Sequence, residues 1–144
     1  MRVLVDADAC PVKNIIEEEC IKRNVKVVMF IDTSHELYSD YSEIVTVSKG
    51  IDSVDLKIVS EVEKGDIVVT NDFGLASILL AKGAIPISPN GLIFDNNNIE
   101  RLLFERHLVK ESVRKNKKHK KIKKRTKGND DAFYKSFVSL LEKK

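Results

Sequence analysis

The chain has 144 residues, of which 42% are hydrophobic and 33% charged, a balance that suits one soluble domain around a single core. No apolar run is long enough to cross a bilayer, and the N-terminus leads straight into a strand rather than a signal peptide. Cys10 and Cys20 form no CxxC pair and lack metal-ligand spacing, so a reduced, cytoplasmic setting is expected.

Taken in chain order, Val3 to Val5 read as a short buried strand that ends on Asp6 and Asp8. Pro11 suits a first helical turn, and Val12, Ile15, Ile16 and Cys20 recur at helical spacing, so a helix is predicted to about Arg23. "VKVVMF" (25–30) is a second strand, "DTSHELYSDYSE" (32–43) a loop and "IVTV" (44–47) a third strand. Lys49-Gly50 breaks that strand, and 51–64 places Val54, Ile58 and Val62 on one helical face, with Gly65 closing the helix. "DIVVT" (66–70) is a buried strand and 73–83 a helix with Gly83 past its end. "AIPIS" (84–88) is an edge or terminal strand because of Pro86, and Pro89-Asn90-Gly91 is a turn. Ile99, Leu102, Leu103, Leu108 and Val109 define a helix ending near Lys115. A last helix, capped by Asn129 or Asp130, carries Phe133, Phe137, Leu140 and Leu141. No exposed apolar stripe is evident.

Alternating strands and helices to about residue 95 imply βαβ crossovers, hence an α/β fold with a largely parallel central sheet between helices. Ligands in such sheets sit outside the carboxyl ends of the strands. The pattern delivers acids there from separate segments: Asp6 and Asp8 after the first strand, Asp72 after "DIVVT", and Asp52 and Asp55, three residues apart on one helical face. Crowded carboxylates repel and resist burial, but they suit Mg²⁺ or Mn²⁺, which prefer oxygen ligands. A centre of this kind fits phosphodiester hydrolysis without a nucleophilic side chain. Each acid also has a plain structural alternative. Asp8 is placed to cap the helix near Pro11, Asp72 to start a turn, and Asp52 to favour a helix dipole. Neither His35 nor His107 lies near an acidic motif in the sequence.

Charge is distributed unevenly. Residues 1–113 carry 12 Lys+Arg against 19 Asp+Glu, whereas residues 114–127 carry ten Lys+Arg and no acid, and the last 17 carry three of each. An acidic body with a short basic segment points to a polyanionic partner, nucleic acid first, with a solvated charge run as the alternative. The expected organisation is an α/β domain over 1–113, a basic, flexible segment over 114–128 and a C-terminal helix over 129–144. Lys117, Lys118, Lys120, Lys121, Lys123, Lys124 and Arg125 are the candidate nucleic-acid contacts.

"VDADACPV", "GIDSVDLKIV", "GDIVVTNDFGLA", "GAIPISPNG" and "NIERLLFERHL" together resemble the YaiI/YqxD family of uncharacterised bacterial proteins, in the family's order and up to about residue 115. The resemblance implies a PIN-like three-layer sandwich, a nuclease-type fold in which Asp6, Asp8, Asp55 and Asp72 bind Mg²⁺ or Mn²⁺ and Asp52 is an outer member. Two departures stand out. The family's Pro-Arg-Gly turn reads Pro89-Asn90-Gly91 here, without its arginine, and its late Gly-Pro is replaced by "KRTKGND". Many PIN domains pair, so an oligomer is compatible with the resemblance. The leading expectation is a metal-dependent endoribonuclease with Asp6, Asp8, Asp55 and Asp72 catalytic. A non-catalytic nucleic-acid- or ribosome-binding module comes second. A haloacid-dehalogenase-like phosphatase comes third, because Asp6-Ala7-Asp8 continues as Ala-Cys-Pro.

Overall fold

The computed structural model describes residues 1–8, 10–48, 53–116 and 124–143. Five parallel strands form one sheet: β1 (Arg2–Asp6), β2 (Lys26–Asp32), β3 (Glu43–Val47), β4 (Ile67–Val69) and β5 (Ile85–Ile87), in the order β3-β2-β1-β4-β5. The described helices are α1 (Lys13–Arg23), α2 (Val54–Glu61), α3 (Phe73–Ala81), α4 (Ile99–Asn116) and α5 (Lys127–Leu141). Side-chain alternation along the buried strands assigns the two faces. Val3, Val5, Met29 and Val69 pack against α1 and α5 through Ile16, Cys20, Phe133 and Phe137. Leu4, Phe30 and Val68 pack against α2 and α3 through Ile58, Leu75 and Leu79. The result is the three-layer α/β sandwich that the alternating pattern implied. Helix α4 adds to α3 through Leu102 and Leu103 around Phe94 and Ile99.

Several local expectations change. Helix α2 stops at Glu61, because Val62 turns extended, and Gly65 serves the tight turn into β4 at φ +89° instead of closing the helix. Residues 49–52, including the Lys49-Gly50 break and Asp52, lie outside the described residues. Helix α5 starts earlier than the sequence suggests. Thr126 is its N-cap, accepting from the Asn129 N–H while the Asn129 side chain accepts from the Thr126 N–H. Asn129 is thus the third helical residue, not the cap. Helix α4 also carries an apolar surface: Phe104 and Leu108, one turn apart, and Val109 are exposed. The sequence reading missed this stripe because α4 has apolar residues on more than one face.

Residues 33–42 join the parallel strands β2 and β3 without a helix. Side chains hold this loop: Tyr41 donates its hydroxyl to the Val25 carbonyl, and Ser39 and Ser42 donate theirs to Glu17 on α1. At the amino ends of the strands, buried Asp66 accepts from the Arg2 backbone N–H, from the Arg2 guanidinium at 2.9 Å and from the Glu63 N–H. That acid is a structural anchor, remote from the carboxyl edge.

The Pro89-Asn90-Gly91 turn sits directly against α5. Gly91 has φ +89°, and a Cβ there would lie 2.5 Å from the Ala132 carbonyl oxygen, whereas one at Gly65, also at φ +89°, would meet nothing within 4 Å. Gly65→Ala is therefore expected to cost only the left-handed strain, about 1–2 kcal/mol. Gly91→Ala adds overpacking and should reach about 3 kcal/mol or more. Thermal melts of the two variants check this, and equal losses would contradict the packing described.

Candidate active site

The strand order reverses direction between β1 and β4, so the crevice at their carboxyl ends is the place where this fold class gathers ligands. Asp6 is the last residue of β1. Thr70, just past β4, donates its hydroxyl to Asp6 Oδ2 at 3.2 Å and accepts from the Asp72 N–H at 3.1 Å, linking the two acidic segments. Asp72 caps α3 by accepting from the Leu75 N–H at 3.1 Å, so its structural role in the turn is real. Its carboxyl also lies beside that of Asp55. Asp55 lies in the first turn of α2, after the Ser53 cap.

These carboxylates perturb one another. Burial pushes the Asp6 carboxyl above the ordinary aspartate range, the Thr70 hydroxyl opposes that, and the charges of Asp8 and Asp72 add to it. Asp55 is pushed up to about 6, first by burial, then by the neighbouring Asp72 carboxyl and the charge of Asp6. Among the described residues no lysine or arginine pairs with Asp6, Asp8, Asp55 or Asp72. Acids held near one another without lysine or arginine partners are a donor set that fits a hard divalent cation.

Asp8 caps nothing: the N-cap of α1 is Val12, without a side-chain bond. Instead Asp8 Oδ1 accepts from the Asp32 N–H at 3.3 Å and lies 3.1 Å from His35 Nδ1, which also lies 3.1 Å from Asp32 Oδ1. Asp8, Asp32 and His35 bring one donor atom each within 4.8 Å of one another. Among the described residues no three of Asp6, Asp8, Asp55 and Asp72 do so. The four acids therefore line one rim, with Asp6 at its centre, the Asp55–Asp72 pair on one side and the Asp8–Asp32–His35 group on the other. Ser34 holds Asp32 in place through its hydroxyl and its N–H, and with His35 lowers the Asp32 pKa to about 2.

The expectation that His35 and His107 stand apart from the acids is therefore incorrect. Strand β2 lies beside β1, with Asp6 in register with Phe30, so the loop after β2 emerges next to Asp8. Helix α4 folds back along α3, which brings His107 over the other side of the crevice. There Asp6, Asp8, Asn71, Asp72 and Gly74 face Leu103, Arg106, His107 and Lys110 across a groove of about 550 Å³. A second groove, of about 460 Å³, shares Asp6 and Asp8 and reaches Asp32, Ser53 and Asp55.

Two signals for the missed residues were present in the sequence. Positions 103, 106, 107 and 110 follow the i, i+3, i+4, i+7 spacing of one helical face. Asp32 closes a strand, as Asp6 does.

Lys117, Lys118, Lys120, Lys121 and Lys123 lie outside the described residues, and Lys124 is exposed. Arg125 donates to Asp130 Oδ1, Asn90 Oδ1 and the Pro89 carbonyl at 2.6–2.8 Å. The turn that lacks its own arginine thus receives one from the segment before α5. These bonds make Arg125 a tie between turn and helix.

Fold and crevice define an α/β sandwich domain whose topological switch point is lined with carboxylates that have no lysine or arginine partner among the described residues, and is faced by a basic helix. Residues 4–143 match the family model described as "Uncharacterized BCR, YaiI/YqxD family", and the chain belongs to that family. It is similar to the "UPF0178 protein" of Lachnoclostridium phytofermentans, 51% identical over 99% of this chain and 97% of that one. The "UPF0178 protein" of Ruminiclostridium cellulolyticum is 50% identical over 99% and 93% of the two chains, and that of Clostridium tetani 49% over 99% and 98%. No solved structure matches the chain.

Proposed function

We propose that this protein is a divalent-cation-dependent nuclease of the PIN-like kind that cleaves RNA phosphodiesters in this crevice. The reading is carried by one observation: Asp6, Asp8, Asp55 and Asp72, from three separate segments, line the carboxyl edge of the sheet without a lysine or arginine partner among the described residues. These four would hold Mg²⁺ or Mn²⁺, with Asp52 a further candidate. Bound there, the cation would polarise a phosphoryl oxygen and stabilise the charge on the leaving oxygen.

The chain's own groups do the rest. Thr70 holds the Asp6 carboxylate, and the cap to Leu75 fixes Asp72. Burial and Asp72 raise the cation-free Asp55 carboxyl to about 6, so it would give up its proton on taking a cation as ligand. The lysine-rich segment adds non-specific affinity for polyanions.

The test is incubation of the purified chain with end-labelled single-stranded RNA and Mn²⁺. Cleavage that EDTA abolishes is the expected result. Binding without cleavage would favour a non-catalytic module, and release of phosphate from small phosphomonoesters a phosphatase.

A further inference from the structure

We infer that Arg106 and Lys110 form the phosphate-seating wall of the crevice and restrict it to single-stranded polynucleotides; this deepens, and rests on, the nuclease reading. The two residues are one helical turn apart on α4 and both line the groove opposite Asp6, Asp8 and Asp72. Among the described residues neither makes an ion pair, although Arg101, one turn earlier on the same helix, pairs with Glu105 at 3.1 Å. Arg106 is held differently. Its guanidinium lies 5.4 Å from the centre of the Phe73 ring, and Phe73 is braced edge-on by Phe94 at 5.3 Å. A cation stacked on a supported ring keeps its donors free and directed, as recognition of a planar anion requires.

The charges on the two walls are opposite, which limits what fits between them. The acidic wall repels a phosphodiester, so the strand's charge is balanced from the α4 side, with His107 between the two cations as a further donor. A groove of about 550 Å³ falls in the range of about 300–1,000 Å³ that encloses small molecules. It accommodates one or two nucleotides of a flexible strand and not the width of a duplex. Of the basic residues singled out in the lysine-rich segment, the two that are described, Lys124 and Arg125, do not line this groove. Any binding they contribute is separable from it.

The experiment measures binding of fluorescein-labelled oligouridylate, and of an RNA duplex of equal length, by anisotropy in EDTA over a range of salt. The full-length wild type is compared with Arg106→Gln/Lys110→Gln, Arg106→Lys and Asp6→Asn. Arg106 and Lys110 are both exposed, and a thermal melt verifies folding; Lys110→Gln alone provides a milder variant.

The double variant is expected to bind the single strand at least about tenfold more weakly, with a salt slope shallower by roughly 1.4, the value for two lost phosphate contacts. Arg106→Lys should retain most of the slope, and Asp6→Asn should bind as well as wild type or tighter. An unchanged affinity and slope in the double variant, or a preference for duplex in the wild type, overturns the wall. If cleavage with Mn²⁺ persists in that case, the nuclease reading stands without it. If the wall behaves as expected but no variant or wild type cleaves, the nuclease reading fails and the binding surface remains.

Discussion

Asp6→Asn is expected to abolish Mn²⁺-dependent RNA cleavage, by about 10³-fold or more, while melting no lower than the wild type. The loss corresponds to roughly 4 kcal/mol of transition-state stabilisation, within what a correctly placed cation supplies. The stability outcome has the opposite sign from an ordinary core mutation. Burial and the charges of Asp8 and Asp72 already disfavour an ionised Asp6. Asparagine removes that charge, fits the same space and still accepts from Thr70. In EDTA at neutral pH the melting temperature should stay level or rise by up to about 4 °C, the shift that roughly 1 kcal/mol makes in a domain of this size. A variant that loses activity by unfolding would melt lower, and a variant that keeps its activity would remove Asp6 from the mechanism.

The second large effect is a reversal of pH dependence by metal. Asp55 rises from the ordinary 3.8 to about 6 on folding. A carboxyl with a raised folded-state pKa contributes stability that is complete below about 3.8 and disappears as the pH climbs through about 6. The undiscounted shift would be worth about 3 kcal/mol. Because Asp55 is only half-buried, solvent screening reduces this to about 1 kcal/mol. In EDTA the wild type should therefore melt lower at pH 7 than at pH 4.5, and Asp55→Asn should not show that fall. Asp32, lowered to about 2, is ionised throughout this window and does not interfere. With saturating Mn²⁺ the order should invert, since a ligand at 100 times its dissociation constant adds about 2.7 kcal/mol and protons compete for its site below about pH 6. Melting curves at both pH values, with EDTA and with Mn²⁺, check all four arms. Parallel pH profiles with and without Mn²⁺ would contradict the shared carboxylate site.

Much of this architecture is legible in the chain itself. β-branched runs between helical periods define the strands, and the parallel sheet follows from their alternation. Asp6, Asp55 and Asp72 reach one edge because each lies at a strand end or in a helix's first turn. What the sequence hides is lateral. Whether Asp32 and His35 approach Asp8 depends on β2 pairing beside β1, and nothing local in "DTSH" states which strand is the neighbour. The α4 wall is hidden for a similar reason. Arg106, His107 and Lys110 read as ordinary exposed helix residues until α4 is laid along α3. Thr126 is not legible as a cap because the lysine-rich run obscures where helix α5 begins, and the reciprocal bond with Asn129 becomes apparent only in the folded chain.

The most direct measurement is Mn²⁺ binding at pH 7.5 by isothermal titration calorimetry, in the wild type, Asp6→Asn and Asp72→Asn. The account predicts saturable binding by the wild type that both substitutions remove, with folding intact. No binding by the wild type, or the same binding in all three proteins, would contradict it.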